Sequence, residues 1–252
     1  MKKNKLILGI ILFVIGLFGI ASILTMDIPI PAEVEALLKA EFTSFQIKLI
    51  TLVNPIMMLV ISIVIGTILY QKVNLRAPIL EKFSGIGDIP FNYSEILIYG
   101  VFGGVLSGAL ISGFSLIFNP ILPLEFKELG ASIKPSLAAR FLYGGFTEEI
   151  LMRFGLMTFL VWLCSKIFKG TKPIVYWIAI IIAAVVFAIG HFPVAFQAIE
   201  KPSIELLTYI LIANSTGGII FGWLYWEKGL ESAFVAHIFA HVVMVLAEQF
   251  II

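Results

Sequence analysis

Long apolar runs recur along this chain, and they constrain its fold more than any other feature of the sequence. About 20 consecutive apolar residues are enough to cross a bilayer as a helix. Only 13% of the 252 residues are charged, against about 25% in soluble domains. The sequence therefore predicts an all-α, polytopic transmembrane helical bundle of about seven spans. We place the spans at roughly 6–26, 46–70, 93–118, 136–165, 174–192, 204–226 and 230–250.

The distribution of lysine and arginine predicts the orientation of these spans, because cytoplasmic loops are enriched in both. With the N-terminus inside, the inner connections would hold ten basic residues: Lys2, Lys3, Lys5, Lys72, Arg76, Lys82, Lys166, Lys169, Lys172 and Lys228. The outer connections would hold four: Lys39, Lys127, Lys134 and Lys201. This excess favours a cytoplasmic N-terminus and an outer C-terminus. Arg140, one turn into its span, is expected to extend its side chain toward the interface.

Six ionisable residues lie inside otherwise apolar segments, namely Glu148, Glu149, Arg153, His191, His237 and His241. Placing such groups in hydrocarbon costs several kcal/mol on insertion scales, so they usually face one another or a wet cavity. We therefore expect these six residues to form a site within the membrane. The net charge of +1 provides no basic field for nucleic acid.

The acidic pair in the fourth span suggests two different roles for neighbouring carboxylates. Glu149 and Arg153 are four residues apart, on one face of an α-helix, in the favourable order for an ion pair. Glu148, about 100° away on the same helix, has no basic partner and is a candidate general base. The alternative is that the Glu–Arg pair is purely structural and fastens two helices together.

The histidines extend this pattern to two further spans. His237 and His241 share a face of the seventh span, and His191 precedes Pro193 near the outer end of the fifth. Because His191 must reach the level of Glu148, we expect the fifth span to run past Pro193 or to be displaced outward. The alternative is that each histidine has a purely structural role and hydrogen-bonds a neighbouring helix.

Two hydrolytic chemistries fit these residues. In one, Glu148 and His191 activate a water, and His237 and His241 stabilise the oxyanion that forms. In the other, His191, His237, His241 and Glu148 bind Zn²⁺, whose bound water is the nucleophile.

Three short motifs follow one another along the chain: Glu148-Glu149-xxx-Arg153, Phe187-xxx-His191 and His237-xxx-His241. Together they resemble the motifs of the CAAX-protease and bacteriocin-processing (CPBP, or Abi) family of intramembrane proteases. The stretch from Gly218 to Gly229 is also similar to that family. The resemblance covers roughly residues 93–250, so we divide the chain into N-terminal spans one and two (1–92) and a catalytic core of about five spans (93–252).

The resemblance implies an all-helical bundle with Glu148 as general base, assisted by His191, and with Glu149 and Arg153 in supporting positions. It also implies an oxyanion site at His237 and the fourth motif position. That position is usually Asn and is His241 here, a residue that could also complete a metal site. We favour a mechanism without a metal or other cofactor, and Zn²⁺ is the alternative.

These observations together predict an endopeptidase that is integral to the cytoplasmic membrane of a prokaryote. It would cleave a peptide or membrane-protein substrate in the bilayer and would bind no nucleic acid. A non-catalytic immunity or scaffold protein that binds a peptide is the first rival. An ion or proton transporter is the second, but the sequence has no convincing internal repeat to support it. The sequence does not define an oligomeric state.

Overall fold

The computed structural model describes residues 2–26, 32–87, 90–132 and 135–251, and every regular element within them is helical. This confirms the predicted all-α class. In chain order the helices are α1 (Lys2–Ser22), α2 (Ala32–Glu41), α3 (Ser44–Thr51), α4 (Val53–Leu69), α5 (Pro78–Ser84), α6 (Tyr93–Phe118), α7 (Leu124–Ser132), α8 (Ala139–Ile167), α9 (Pro173–Ile189), α10 (Phe192–Ala198), α11 (Ile204–Lys228) and α12 (Leu230–Ile251).

Six helical stretches in the described part of the chain are long and apolar enough to cross a membrane. They are Lys3–Thr25, Ser44–Val73, Tyr93–Ile121, Ala139–Ile167, Ile204–Lys228 and Leu230–Phe250. The remaining predicted span forms α9, whose 17 residues lie at the short end of the range for membrane helices. Large apolar side chains such as Phe18, Met57, Phe102 and Ile117 are exposed on the outside of the bundle. A lipid-facing surface explains this exposure, and the chain is an integral membrane protein.

The fifth span does not run past Pro193, so this one of the two expected alternatives is wrong. Helix α9 ends at Ile189, and the chain turns at Gly190 and His191 before α10 begins at Phe192. Proline has no N–H for an i→i−4 bond and its ring clashes with the preceding turn, but it is tolerated in the first turn of a helix. Pro193 occupies such a first-turn position in α10.

Helix α8 differs from the α-helix that the sequence predicts. Its first two thirds are π-helical, over Ala139–Glu148 and Ile150–Met157, and only Thr158–Ile167 is α-helical. A π-helix closes i→i+5 hydrogen bonds and is usually confined to single turns, often at functional sites. The angle of about 100° between Glu148 and Glu149, which assumes α geometry, therefore does not apply here.

Helix α8 lies at the centre of the bundle and packs against α1, α4, α9, α11 and α12. Its contact with α1 is close, because the Thr147 hydroxyl donates a 2.9 Å hydrogen bond to the Gly16 carbonyl. The first helix is thus an integral part of the bundle. The division of the chain at residue 92 remains a prediction.

Polar contacts bring the sequence-distant connections together at one end of the bundle, which we call the basic end. There, Lys5 Nζ donates to the Thr67 carbonyl at 3.3 Å and Asn74 Nδ2 to Thr171 Oγ1 at 3.1 Å. The Leu230 N–H donates to the Arg76 carbonyl at 3.0 Å, so the turn before α12 belongs to the same end.

The opposite end, which we call the cavity end, contains the end of α1, α7, α10 and the beginnings of α8 and α11. The hydroxyls of Thr25, just after α1, and Ser136, just before α8, are 2.5 Å apart. A small separate apolar cluster packs α7 and α10 against α11, with Leu122, Ala195, Leu206 and Ile210 buried at its centre. The two ends are therefore built differently, one from polar contacts and basic side chains and the other mainly from apolar contacts.

The close contact between α6 and α12 requires a residue without a side chain at position 104. A Cβ added at Gly104 would lie 2.6 Å from Phe239 Cβ and would also clash with the Ala236 carbonyl oxygen. By contrast, a Cβ added at Gly113 in the same helix would have no atom within 4 Å. Small residues at such positions allow membrane helices to approach closely.

We expect Gly104→Ala to lower the free energy of unfolding by about 1–3 kcal/mol, since overpacking forces the backbones apart. The matched control Gly113→Ala should leave stability unchanged or slightly raised, because alanine has the higher helix propensity. Thermal unfolding of the two purified variants in detergent measures the difference. Equal melting temperatures for both variants would contradict the close packing described here.

Candidate active site

Helix α8 positions a buried ion pair at the centre of the bundle. Arg153 Nε lies 3.1 Å from Glu149 Oε2, and both side chains are almost wholly buried, with 2% and 0% exposure. Arg153 Nη2 also donates to the Gly218 carbonyl of α11 at 3.3 Å. The guanidinium lies over the rings of Phe187 and Phe221, 5.1 and 5.4 Å from their centroids. These contacts compensate the charge of Arg153, and the predicted pairing with Glu149 is present.

The same carboxylate binds a histidine of α12. Glu149 Oε1 lies 2.8 Å from His237 Nδ1. Because this carboxylate is also paired with the Arg153 guanidinium, we assign it as the acceptor of the contact and place the proton on Nδ1 of the imidazole. The other nitrogen, Nε2, is then an acceptor in the neutral ring, and it lies 3.8 Å from Glu148 Oε2. That separation is too long for a direct hydrogen bond, and it leaves both atoms open to a shared water.

His241 lies one turn further along α12. Its ring is stacked on that of His237, with centroids 4.9 Å apart and planes inclined by 20°. A Cβ added at Gly144 would lie 2.7 Å from His241 Nε2 and 3.4 Å from His237 Nε2. The absence of a side chain at Gly144 therefore keeps open a small space toward which both Nε2 atoms face. His241 Nδ1 is buried and has no hydrogen-bond partner in the described part of the chain.

His191 occupies the turn between α9 and α10. Its Nδ1 lies 2.8 Å from the Phe187 carbonyl oxygen. Since a carbonyl can only accept, Nδ1 carries the proton and Nε2 of the neutral ring is an acceptor. The ring also packs edge-on against Phe187, with centroids 4.8 Å apart. The turn thus fixes the tautomer of His191 without a continuous helix.

A cavity of about 580 Å³ joins these residues, and we call it the central cavity. Glu148, His191, His237 and His241 all line it, although they come from α8, the α9–α10 turn and α12. Glu148 has a side chain 20% exposed, unlike its neighbour Glu149. The walls are mainly apolar, and the cavity extends to Met26, Pro135 and Gln197 at the cavity end of the bundle.

Several residues of this site escaped the sequence analysis. Phe221 stacks on His237 with centroids 4.8 Å apart, and Tyr143 and Asn214 line the central cavity. Arg140 pairs with Glu248 instead of extending alone toward the interface. These are contacts between helices, and no local pattern in the sequence pairs them. The one local signal in the sequence is the Gly144-Gly145 step shortly before the two glutamates, because it leaves the helix without side chains at that level.

The arrangement of the possible metal ligands was compared with that of a zinc site. Among the described residues, no group of three or more His, Cys, Asp or Glu side chains has the arrangement of a metal site. We therefore derive no reaction step through a metal.

Comparison with known proteins supports a protease. Residues 131–243 match the family described as Type II CAAX prenyl endopeptidase Rce1-like, which confirms the resemblance to the CAAX-protease family. The matched segment runs from the end of α7 to α12 and contains all six of the ionisable residues singled out above. No curated protein and no solved structure matches the chain.

Arg153 should be essential for folding, because without it the Glu149 carboxylate stays buried and unpaired. We expect Arg153→Met to lower the free energy of unfolding by about 3–5 kcal/mol. Lys228→Met is the matched control, since it removes the 2.8 Å pair with Glu95, a half-exposed residue at the basic end. Exposed pairs contribute at most about 1 kcal/mol. Denaturation in detergent would compare the two, and similar losses would contradict the role assigned to Arg153.

Proposed function

We propose that this protein is an intramembrane endopeptidase in which Glu148 activates water inside the central cavity. One observation carries the proposal: a carboxylate and three imidazoles from separate segments of the chain line a single cavity within an apolar bundle. The match of residues 131–243 to a CAAX endopeptidase family supports it. Apolar walls of this kind suit a membrane-associated peptide or a segment of a membrane protein.

In the proposed reaction, a water bound near Glu148 attacks the carbonyl carbon of the scissile amide. Glu148 accepts a proton from this water while the new C–O bond forms, and His191 Nε2 orients the same water as a hydrogen-bond acceptor. The negative charge that develops on the carbonyl oxygen needs donors placed in advance. When the tetrahedral intermediate collapses, the C–N bond breaks and Glu148 returns the proton to the departing amine.

His241 would supply such a donor in the open space beside Gly144, next to His237. Neutral His241 can carry its proton on Nε2 and donate directly. His237 is different, because its Nδ1 proton is held by Glu149. In the neutral ring its Nε2 can then only accept a hydrogen bond, so His237 would orient a bound water or the substrate amide and not donate to the oxyanion.

Substitution of Glu148 tests the proposal most directly. We expect purified Glu148→Gln to lose at least about 100-fold in the rate of peptide cleavage, which is the lower bound for removal of a general base. Glu227→Gln is the matched control, because Glu227 is exposed at the basic end and should leave the rate unchanged. A set of apolar and prenylated peptides, analysed by mass spectrometry, would provide the readout.

A chelator arm of the same experiment separates the two hydrolytic mechanisms. Cleavage that survives chelation but not Glu148→Gln supports the water mechanism, whereas loss on chelation and recovery with Zn²⁺ supports a metal. If cells expressing Glu148→Gln keep the biological activity of the wild type, the protein acts by binding and not by cleavage.

We also propose that the N-terminus is cytoplasmic and that the central cavity opens to the outer face. The ten basic residues counted for the inner connections lie in the segments that form the basic end. Without the three N-terminal lysines the inner connections still hold seven basic residues, against four in the outer connections. The cavity reaches the other end, where the positive-inside rule places the outer solution. Lys134, one of the four outer basic residues, lies outside the described residues.

Thiol labelling tests this orientation without any need for activity. Cys164 is the only cysteine and is buried, so a Cys164→Ser background is available. Gln197→Cys at the cavity end and Gln71→Cys at the basic end are matched, since both glutamines are exposed. We expect a membrane-impermeant maleimide to label the first variant in intact cells and the second only in inside-out vesicles. The reverse pattern would overturn the orientation.

A further inference from the structure

We propose that Arg140 is a binding site for a carboxylate group of the substrate, and that Glu248 occupies this site in the absence of substrate. The inference rests on the proposed peptidase function and adds a specificity determinant to it. Arg140 lies at the beginning of α8 and lines the central cavity toward the cavity end. It takes no part in the chemistry proposed for Glu148 and the histidines.

The geometry at Arg140 is that of carboxylate recognition. Its Nη1 and Nη2 atoms donate to the two oxygens of Glu248, at 2.7 and 3.2 Å. A third donor, Nε, lies 3.4 Å from the Pro135 carbonyl oxygen and fixes the plane of the guanidinium. Such two-pronged pairing matches the shape as well as the charge of a carboxylate. Another carboxylate entering along the cavity would find the same two donors.

The two partners differ in how readily they can leave the pair. The Arg140 side chain is 11% exposed, whereas Glu248, close to the end of α12, is 42% exposed. Glu248 can rotate into water at small cost, because a half-exposed carboxylate is well solvated when unpaired. Arg140 would then be a poorly solvated charge without a partner, which is unfavourable. Displacement of Glu248 is therefore favoured only when another anion takes its place.

The position of Arg140 relative to Glu148 makes this site relevant to cleavage. Both residues belong to the first π-helical segment of α8 and both line the same cavity. Tyr143, between them in sequence, lines it too. A peptide whose carboxylate is held at Arg140 would be anchored at one end while an amide bond lies beside Glu148. The carboxylate can be the C-terminus of the peptide or an acidic side chain near the cleavage site.

Three forms of one peptide distinguish these sources. The probe is a seven-residue peptide of leucine, alanine and glycine with an N-terminal fluorophore, prepared as free acid, as C-terminal amide, and as amide with a final aspartate. Binding is measured by fluorescence anisotropy on purified Glu148→Gln, so that the result does not depend on cleavage. A charged, two-pronged pair predicts about tenfold tighter binding of a carboxylate form than of the plain amide.

Variants of the ion pair assign the preference to Arg140. We expect Arg140→Gln to abolish the tenfold ratio and Arg140→Lys to keep part of it, because lysine has the charge without the planar pair of donors. Glu248→Gln should tighten binding of the acid by removing the internal competitor. Lys201→Gln is the matched control for loss of a positive charge at the same end, since Lys201 is exposed, and it should leave the ratio unchanged.

Each outcome bears on the inference. Equal binding of acid and amide by the folded protein, or no binding of any form, would overturn it, and so would a ratio that persists in Arg140→Gln. If Arg140→Gln does not fold, the test rests on Glu248→Gln. Tighter binding of the acid by this variant supports the inference, because only competition for Arg140 predicts it, and unchanged binding contradicts it. If the wild type cleaves the acid and the amide with equal KM, this inference is contradicted but the proposed peptidase function is not. Absence of any cleavage, with the binding preference present, would contradict only the peptidase.

Discussion

The candidate site depends on the buried contact of Glu149 with Arg153 and His237. Isolated ions are costly to hold at membrane depth, and this arrangement gives each of three ionisable groups a partner. One carboxylate oxygen faces the guanidinium and the other accepts from the imidazole. The guanidinium is further stabilised by two aromatic faces and a carbonyl of α11. The chain thereby joins α8, α11 and α12 through polar contacts in a bundle otherwise held by apolar packing.

This arrangement also explains why adjacent glutamates have different surroundings. Glu149 is enclosed and contacts Arg153 and His237 through its two oxygens, whereas Glu148 faces the central cavity and lies 3.8 Å from His237 Nε2. The first carboxylate is suited to holding a charge in place, and the second to exchanging a proton with water. These two roles therefore belong to consecutive residues of α8.

Much of the fold could be predicted from the sequence because bilayer thickness imposes its own length on apolar helices. Hydropathy alone located α1, α6, α11 and α12 to within a few residues. The pairing of Glu149 with Arg153 was also predictable, since it depends on spacing within one helix. The π-helical geometry of α8 was not, because no residue pattern distinguishes it from an α-helix. Whether α9 runs past Pro193 was not predictable either, because this proline is compatible with both a kinked helix and the start of a new one.

Contacts between distant helices were beyond such reasoning. Neither Arg140 with Glu248 nor Phe221 with His237 shares a local motif, and both pairs exist only because the bundle brings their helices together. The approach of His237 Nε2 and His241 Nε2 to the space beside Gly144 likewise depends on a contact between distant helices. Motif spacing could name candidate residues, but it could not say which nitrogen of each histidine is available.

The distribution of the candidate residues along the chain has a consequence for biosynthesis. Glu148 enters the membrane early, whereas His237 and His241 belong to α12, which is translated more than 80 residues later. Until that helix is inserted, the two glutamates have no imidazole from α12 beside them. Under the proposed mechanism, a partly synthesised or truncated chain would therefore not cleave its neighbours, and activity would begin only when membrane insertion is complete.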